Sequence, residues 1–124
     1  MKKEKVICKD KIAVDFNDGK ELLQDLGKSV TIFGSARTSS DDKYAKLAEK
    51  LAFRLSKKNI NVITGGGNEI MQAANKGAFE AKTAESIGLS IYLPNEKTKN
   101  EYITKGLTFN YFFSRKYMLV KYSK

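Results

Sequence analysis

The sequence contains no histidine. That removes the commonest general base and metal ligand, so histidine-based triads and histidine-built metal sites are excluded. There is one cysteine, Cys8, and a lone thiol forms no internal disulfide, which points to a reducing cytoplasm. Cys8 itself reads as a small strand residue. Proline is equally scarce, and the single Pro94 marks the one strong break in the chain. No apolar run approaches the roughly 18 residues that a membrane span requires. The opening Met1-Lys2-Lys3-Glu4-Lys5 is charged, with no apolar stretch of signal-peptide length behind it. A soluble, cytoplasmic protein without a membrane partner is therefore expected. No internal repeat or low-complexity segment is visible, and nothing in the sequence calls for a cofactor or a metal.

What is present is enough for one core: 124 residues, 41% of them hydrophobic. The formal charge of +9 raises the question of a polyanionic partner. The lysines are spread along the whole chain, as solvated faces require. Only the tail is lopsided, with seven basic residues from Lys97 to Lys124 against one acid, Glu101. This distribution argues for a small phosphorylated ligand and against a nucleic acid.

Residues 1–28 read as an N-terminal arm: a short strand from Lys11 to Phe16, then Asp18-Gly19, then a short helix carrying Leu22, Leu23 and Leu26, with Gly27 as its C-cap. Residues 29–124 read as an α/β domain. Val30 to Phe33 is β-branched and apolar without clean alternation, the pattern of a strand buried on both faces of a parallel sheet. Ser39 or Ser40 would cap the following helix, whose Tyr44, Leu47, Ala48, Leu51, Ala52 and Leu55 recur at helical spacing and predict one apolar stripe packed on the sheet. A second strand, Ile60 to Thr64, ends in Gly65-Gly66-Gly67. A second helix opens at Asn68, with Ile70, Ala74, Gly77, Ala78 and Ala81 facing inward. Gly77 costs such a helix about 1 kcal/mol relative to alanine, which close packing on the sheet would offset. A third strand runs from Ser86 to Leu93. Asn95 to Asn110 shows little periodicity and reads as a long functional loop. Phe109, Tyr111, Phe112 and Phe113 then form an aromatic patch, and Ser114 caps a final helix with Met118, Leu119 and Tyr122 on its apolar face.

In an open parallel sheet, ligands bind at the carboxyl ends of the strands, where helix N-termini present backbone amides. Two glycine-rich turns fall there, Gly34-Ser35-Ala36 and Gly65-Gly66-Gly67. Each alone is as consistent with a plain connection as with an anion cradle, and neither matches a dinucleotide or P-loop pattern. Arg115-Lys116 is the third candidate. A planar guanidinium beside aromatic rings could hold a phosphate or ribose hydroxyls, or the pair could simply be a basic surface over core aromatics.

Four blocks together resemble the LONELY GUY (LOG) family in order and spacing: Val30 to Thr38, Val62 to Gly67 with Ile70-Met71 and Ala73 to Ala78, Ser86 to Leu89, and Phe112 to Lys116 with Met118 and Val120 to Tyr122. The resemblance runs from about Asn17 to the last residue. It implies a Rossmann-like three-layer parallel sheet with helices on both faces. It also implies phosphoribohydrolase activity, the hydrolysis of the N-glycosidic bond of AMP or an N6-modified AMP to the free base and ribose 5-phosphate. Members often carry the label lysine decarboxylase, and nothing here supports that chemistry. By the resemblance, Gly34, Ser35, Gly65, Gly66, Gly67 and Met71 line the nucleotide pocket, Arg115 contacts substrate and is needed for turnover, and Lys116 joins it. Family members are typically dimers or larger.

Two departures stand out. The family continues its triple glycine with Pro-Gly, whereas this chain has Asn68-Glu69. Asn68 suits an N-cap, but a carboxylate at Glu69 would repel a phosphate at the same helix end. The family's later motif, Pro-Gly-Gly-x-Gly-Thr-x-x-Glu, which supplies phosphate-binding amides and a catalytic glutamate, does not occur in the 124 residues. The expectation is therefore a sheet truncated before its last strands. The third strand's edge would be uncovered, the last helix would be cut midway, and the fragment would be inactive alone. A non-catalytic nucleotide-binding or pairing module is the alternative.

Overall fold

The computed structural model describes residues 8–34, 42–92 and 100–123. Along the chain lie α1 (Lys9–Leu23), β1 (Ser29–Thr31), α2 (Lys43–Lys57), β2 (Asn61–Thr64), α3 (Ile70–Ala81), β3 (Ser86–Ile91), β4 (Lys105–Phe109) and α4 (Phe112–Lys121). The strands form one parallel sheet in the order β1-β2-β3-β4. Successive steps in one direction with right-handed crossovers put α2 and α3 on the same face. The other face is covered by α1 and α4, the first and last helices among the described residues. The fold is α/β, Rossmann-like and three-layered.

Alternation along the strands divides the core. Val62 points to the α2/α3 side, where it meets Ala52, Ala74 and Ala78. Ile63, Ile87, Leu89 and Phe109 point to the other side and pack with Leu23 of α1 and Met118 and Leu119 of α4. Burying a side chain of this size contributes roughly 1.5–3 kcal/mol.

Several expectations are corrected. The segment from Lys11 to Phe16 is helical, part of α1, and Cys8 stands at the N-cap position of that helix, its N–H donating to the Tyr111 hydroxyl at 2.8 Å. Apolar Ile12, Ala13 and Val14 suggested a strand, but tertiary packing overrides local preference: α1 lays Phe16, Leu22 and Leu23 on the core. Gly19 is not a turn residue. It lies inside α1, where an added Cβ would stand 3.0 Å from the Met118 side chain.

The stripe on α2 faces inward only in part: Ala48, Ala52 and Leu55 pack in the core as expected. Tyr44, Leu47 and Leu51 are exposed, and the buried positions are Ala45, Ala52 and Ser56. Small residues turn inward because α2 and α3 approach backbone to backbone: a Cβ at Gly77 would collide with the Glu49 carbonyl oxygen and stand 3.1 Å from the Phe53 nitrogen. Gly77 thus serves helix-on-helix contact rather than helix-on-sheet. Ser39 and Ser40, expected as caps, lie outside the described residues; the Asp42 carboxylate caps α2, accepting from the Tyr44 N–H at 2.7 Å.

The stretch after Pro94 holds a fourth strand. β4 pairs with β3 from Ile87↔Lys105 to Ile91↔Phe109, so the third strand is not an uncovered edge. α4 runs to Lys121, and the N–H of Tyr122 at its C-cap position reaches the Met118 carbonyl at 3.5 Å. Among the described residues, no helix is long and apolar enough to cross a membrane.

Candidate functional site

The carboxyl ends of β2 and β3 carry the residues of interest. β2 finishes at Thr64, and the triple-glycine turn follows at once. Gly66 has φ +77, and a Cβ there would stand 2.5 Å from the Ser90 Oγ, so only glycine lets the turn lie against β3. Gly65 gives room of another kind: its missing side chain leaves the space filled by the Arg115 guanidinium and the Met71 sulfur, the latter 2.9 Å from where a Cβ would be. Met71 also covers Gly67, with its methyl carbon at 2.7 Å from the corresponding point.

Arg115 leaves α4 and lies across the strand ends. Its Nε–H donates to the Leu89 carbonyl at 2.7 Å and its Nη2 to the Gly65 carbonyl at 3.2 Å. Half-burial pulls its pKa below the ordinary arginine value, by desolvation. A guanidinium has five N–H donors, and these two bonds orient its plane while leaving others to meet an anion. Gly34 adjoins the same region, because a Cβ on it would run into the Ile70 side chain at the start of α3.

The structure thus places Gly34, Gly65, Gly66, Gly67, Met71 and Arg115 around one edge of the sheet. Ser35 lies outside the described residues. Lys116 is placed elsewhere: one position further along α4 and about 100° round the helix, it is exposed and lies with Phe113, Tyr117, Val120 and Lys121 on the outer surface.

The start of α3 differs from expectation. Asn68 is exposed and does not cap; the helix begins at Ile70, and the N-cap position belongs to Glu69, without a side-chain cap bond. Glu69 has φ 59 and ψ −118, a conformation natural to glycine and strained for glutamate. Nor does Ser114 take the N-cap position at the start of α4. It sits within the first turn and donates to the Asp15 carboxylate.

Two sets of residues that shape this edge escaped the sequence reading. One is a buried polar network centred on Asn75, which is fully buried. Its oxygen accepts from the Thr64 hydroxyl at 2.6 Å and the Asn100 amide at 3.1 Å, and its amide donates to the Ser86 Oγ at 2.8 Å and the Ile87 carbonyl at 3.3 Å. Thr64 in turn accepts from the Gly66 N–H at 2.9 Å, while the Asn100 side chain donates to the Gly67 carbonyl at 2.9 Å and its N–H to the Gly66 carbonyl at 3.0 Å. The glycine turn is therefore held from both sides. A carboxamide in a run of alanine and glycine, Ala73 to Ala78, was the available signal.

The other is Asp15. In a helix, Ile12, Asp15, Phe16, Gly19 and Leu23 fall on one face, so a charge stands on the buried side of α1. Read as a strand, the segment concealed it.

Comparisons with known proteins agree with this fold. A family model described as "SLOG cluster4 family" matches residues 27–124. The solved X-ray structure of TM1055 superposes with a TM-score of 0.60 at 23% identity, over 77% of this chain and 56% of that one. This chain therefore spans little more than half the length of that protein. No curated protein matches it.

Proposed function

From the premise that this chain belongs to the SLOG cluster4 family, we propose that it binds a nucleoside 5′-monophosphate at the carboxyl edge of its sheet, as part of a phosphoribohydrolase. Membership of the LOG/SLOG superfamily supports a nucleotide-related function in general. The finer reading rests on one observation: a half-buried guanidinium, oriented by the Leu89 and Gly65 carbonyls, beside a turn of three glycines that a methionine covers.

In this reading Arg115 meets the phosphate or ribose, and Gly65 to Gly67 let the ligand approach the backbone. Met71 supplies a polarizable apolar wall for the base, and Gly34 completes the rim. Glu69 directs the phosphate toward Arg115 and away from the start of α3, since like charges repel there. In the reaction, a water oxygen bonds to C1′ of the ribose. The N-glycosidic bond breaks, and the base leaves with its electron pair and takes up a proton. Positive charge builds on the ribose, which a carboxylate would stabilise. None of this chain's residues is assigned that part, and turnover by the 124 residues alone is expected to be negligible. The alternative, a purely binding module, shares the same pocket and differs only in the catalytic outcome.

Thermal shift with AMP and with ribose 5-phosphate, alongside chromatography for adenine release, tests this. Stabilisation by AMP without adenine release is the expected result. No shift with either compound at millimolar concentration would overturn the binding reading. Adenine release at an ordinary enzymatic rate would overturn the expected inactivity and make the chain a complete enzyme.

A further inference from the structure

We propose that Asp15 is a positioning residue for Arg115: a carboxylate carried by α1 holds the start of α4 in the one place from which Arg115 reaches the ends of β2 and β3. The inference rests on the reading of Arg115 as the ligand contact, and it concerns a residue outside the stretch that the family model matches.

Helix α4 begins badly by its own sequence. Its N-cap residue is Tyr111, which has no side-chain oxygen able to turn back on the first amides, and no acidic residue stands in its first turn. The deficit is made good from 95 to 99 residues away. Asp15 is only 2% exposed. Its carboxylate accepts from the Asn110 N–H at 2.9 Å, the Asn110 side-chain amide at 2.9 Å and the Tyr111 N–H at 3.1 Å, and from the Ser114 hydroxyl. An ionised carboxylate only accepts, and all four groups only give here, so the match of donors to lone pairs is complete. The charge also lies at the positive end of the helix dipole.

Every one of those donors belongs to Asn110, Tyr111 or Ser114, the residues between the end of β4 and Arg115. The carboxylate therefore fixes both the height and the rotation of the first turn of α4. Arg115 is the next residue, and its 2.7 Å bond to the Leu89 carbonyl tolerates little displacement. Greasy contacts of α1, such as Leu23 in the core and Phe16 edge-on to Tyr117 at 5.3 Å, would hold the helix near the sheet without setting its rotation. Directional bonds do that.

The test uses the 124-residue protein with Asp15→Asn, which keeps the shape but turns one acceptor into a donor facing donors, and with Ser114→Ala, a milder change that removes one partner. The readout is hydrogen exchange of the Arg115 Nε–H by nuclear magnetic resonance, with Arg115→Lys used only to identify the signal, and AMP affinity is measured in parallel. Exchange should quicken by about tenfold in D15N, which weakens every bond to the carboxylate, and about threefold in S114A, which removes one of them, while the amides of Val62 and Ile63 keep their protection. Unchanged Nε–H exchange in a folded variant, or protection lost equally throughout the sheet, would overturn the proposal by showing a role in stability alone. Should D15N not fold, S114A decides by the same criteria. A wild-type protein that binds no AMP would sink the proposed function yet leave the exchange result standing, so the two failures are distinguishable.

Discussion

Replacing Asn75 with alanine is the sharpest single probe of the buried network. Its carboxamide makes four hydrogen bonds, to Thr64, Ser86, Ile87 and Asn100. Some partners keep a second bond: Asn100 still reaches the Gly67 carbonyl, and the Ser86 hydroxyl still donates to the Asn75 backbone carbonyl at 3.0 Å. The Thr64 hydroxyl, fully buried, loses its acceptor. At about 1 kcal/mol for each net bond, the loss comes to about 4 kcal/mol, a large part of the roughly 5–15 kcal/mol that a domain has in hand. With a urea dependence of about 1–3 kcal/mol per molar, the unfolding midpoint should fall by on the order of 2 M. Asn100→Ala removes three bonds rather than four and keeps the backbone link to Gly66, so it should cost about three-quarters as much. Urea titrations followed by circular dichroism measure both. A loss under about 1 kcal/mol for N75A at unchanged slope, or a larger loss for N100A than for N75A, would refute the account of how the glycine turn is held.

Glu69→Gly should stabilise the protein by about 1 kcal/mol, since relief of a strained φ/ψ outweighs the weak helix-end charge it removes; a lower thermal midpoint would contradict this. Gly77→Ala pits a helix-propensity gain of about 1 kcal/mol against a collision with the α2 backbone that no rotamer relieves. The collision should win by about 1–2 kcal/mol, read from denaturant midpoints; a neutral result would mean that α2 and α3 can part at little cost. Gly65→Ala meets only the flexible ends of Arg115 and Met71, so the fold should survive while AMP affinity drops by about tenfold or more, measured by calorimetry.

Strong local signals carried most of the fold. The β-branched runs at Val30 and Ile60 and the helical spacing in α2 and α3 place four elements within a few residues of where they stand. β4 was hidden because Lys105-Gly106-Leu107-Thr108-Phe109 opens on a lysine and a glycine, both exposed, and buries only Phe109 fully. α1 was misread because Asp18-Gly19 looks like a turn, and the reason glycine stands there is Met118, almost a hundred residues on. On α2 the period was legible and Ala48, Ala52 and Leu55 do pack inward, but the exact direction was not legible: the close approach of α3, a fact about another helix, turns the smaller residues in and leaves Tyr44, Leu47 and Leu51 exposed. The same holds for the edge of the sheet. Glycines and an arginine advertise themselves by type, whereas Asp15, Asn75 and Asn100 matter through partners that only folding brings near.

That α1 and α4 share one face has a consequence for the order in which the molecule can assemble. The α2/α3 layer joins neighbours in the chain and can close early, at small entropic cost. Its opposite cannot: a ribosome delivers α1 some 95 to 99 residues ahead of the groups that receive it, so the aspartate waits, with its helix unpartnered, until Asn110 to Ser114 have emerged. The second layer thus closes as a late and long-range event, and the guanidinium reaches its post only then.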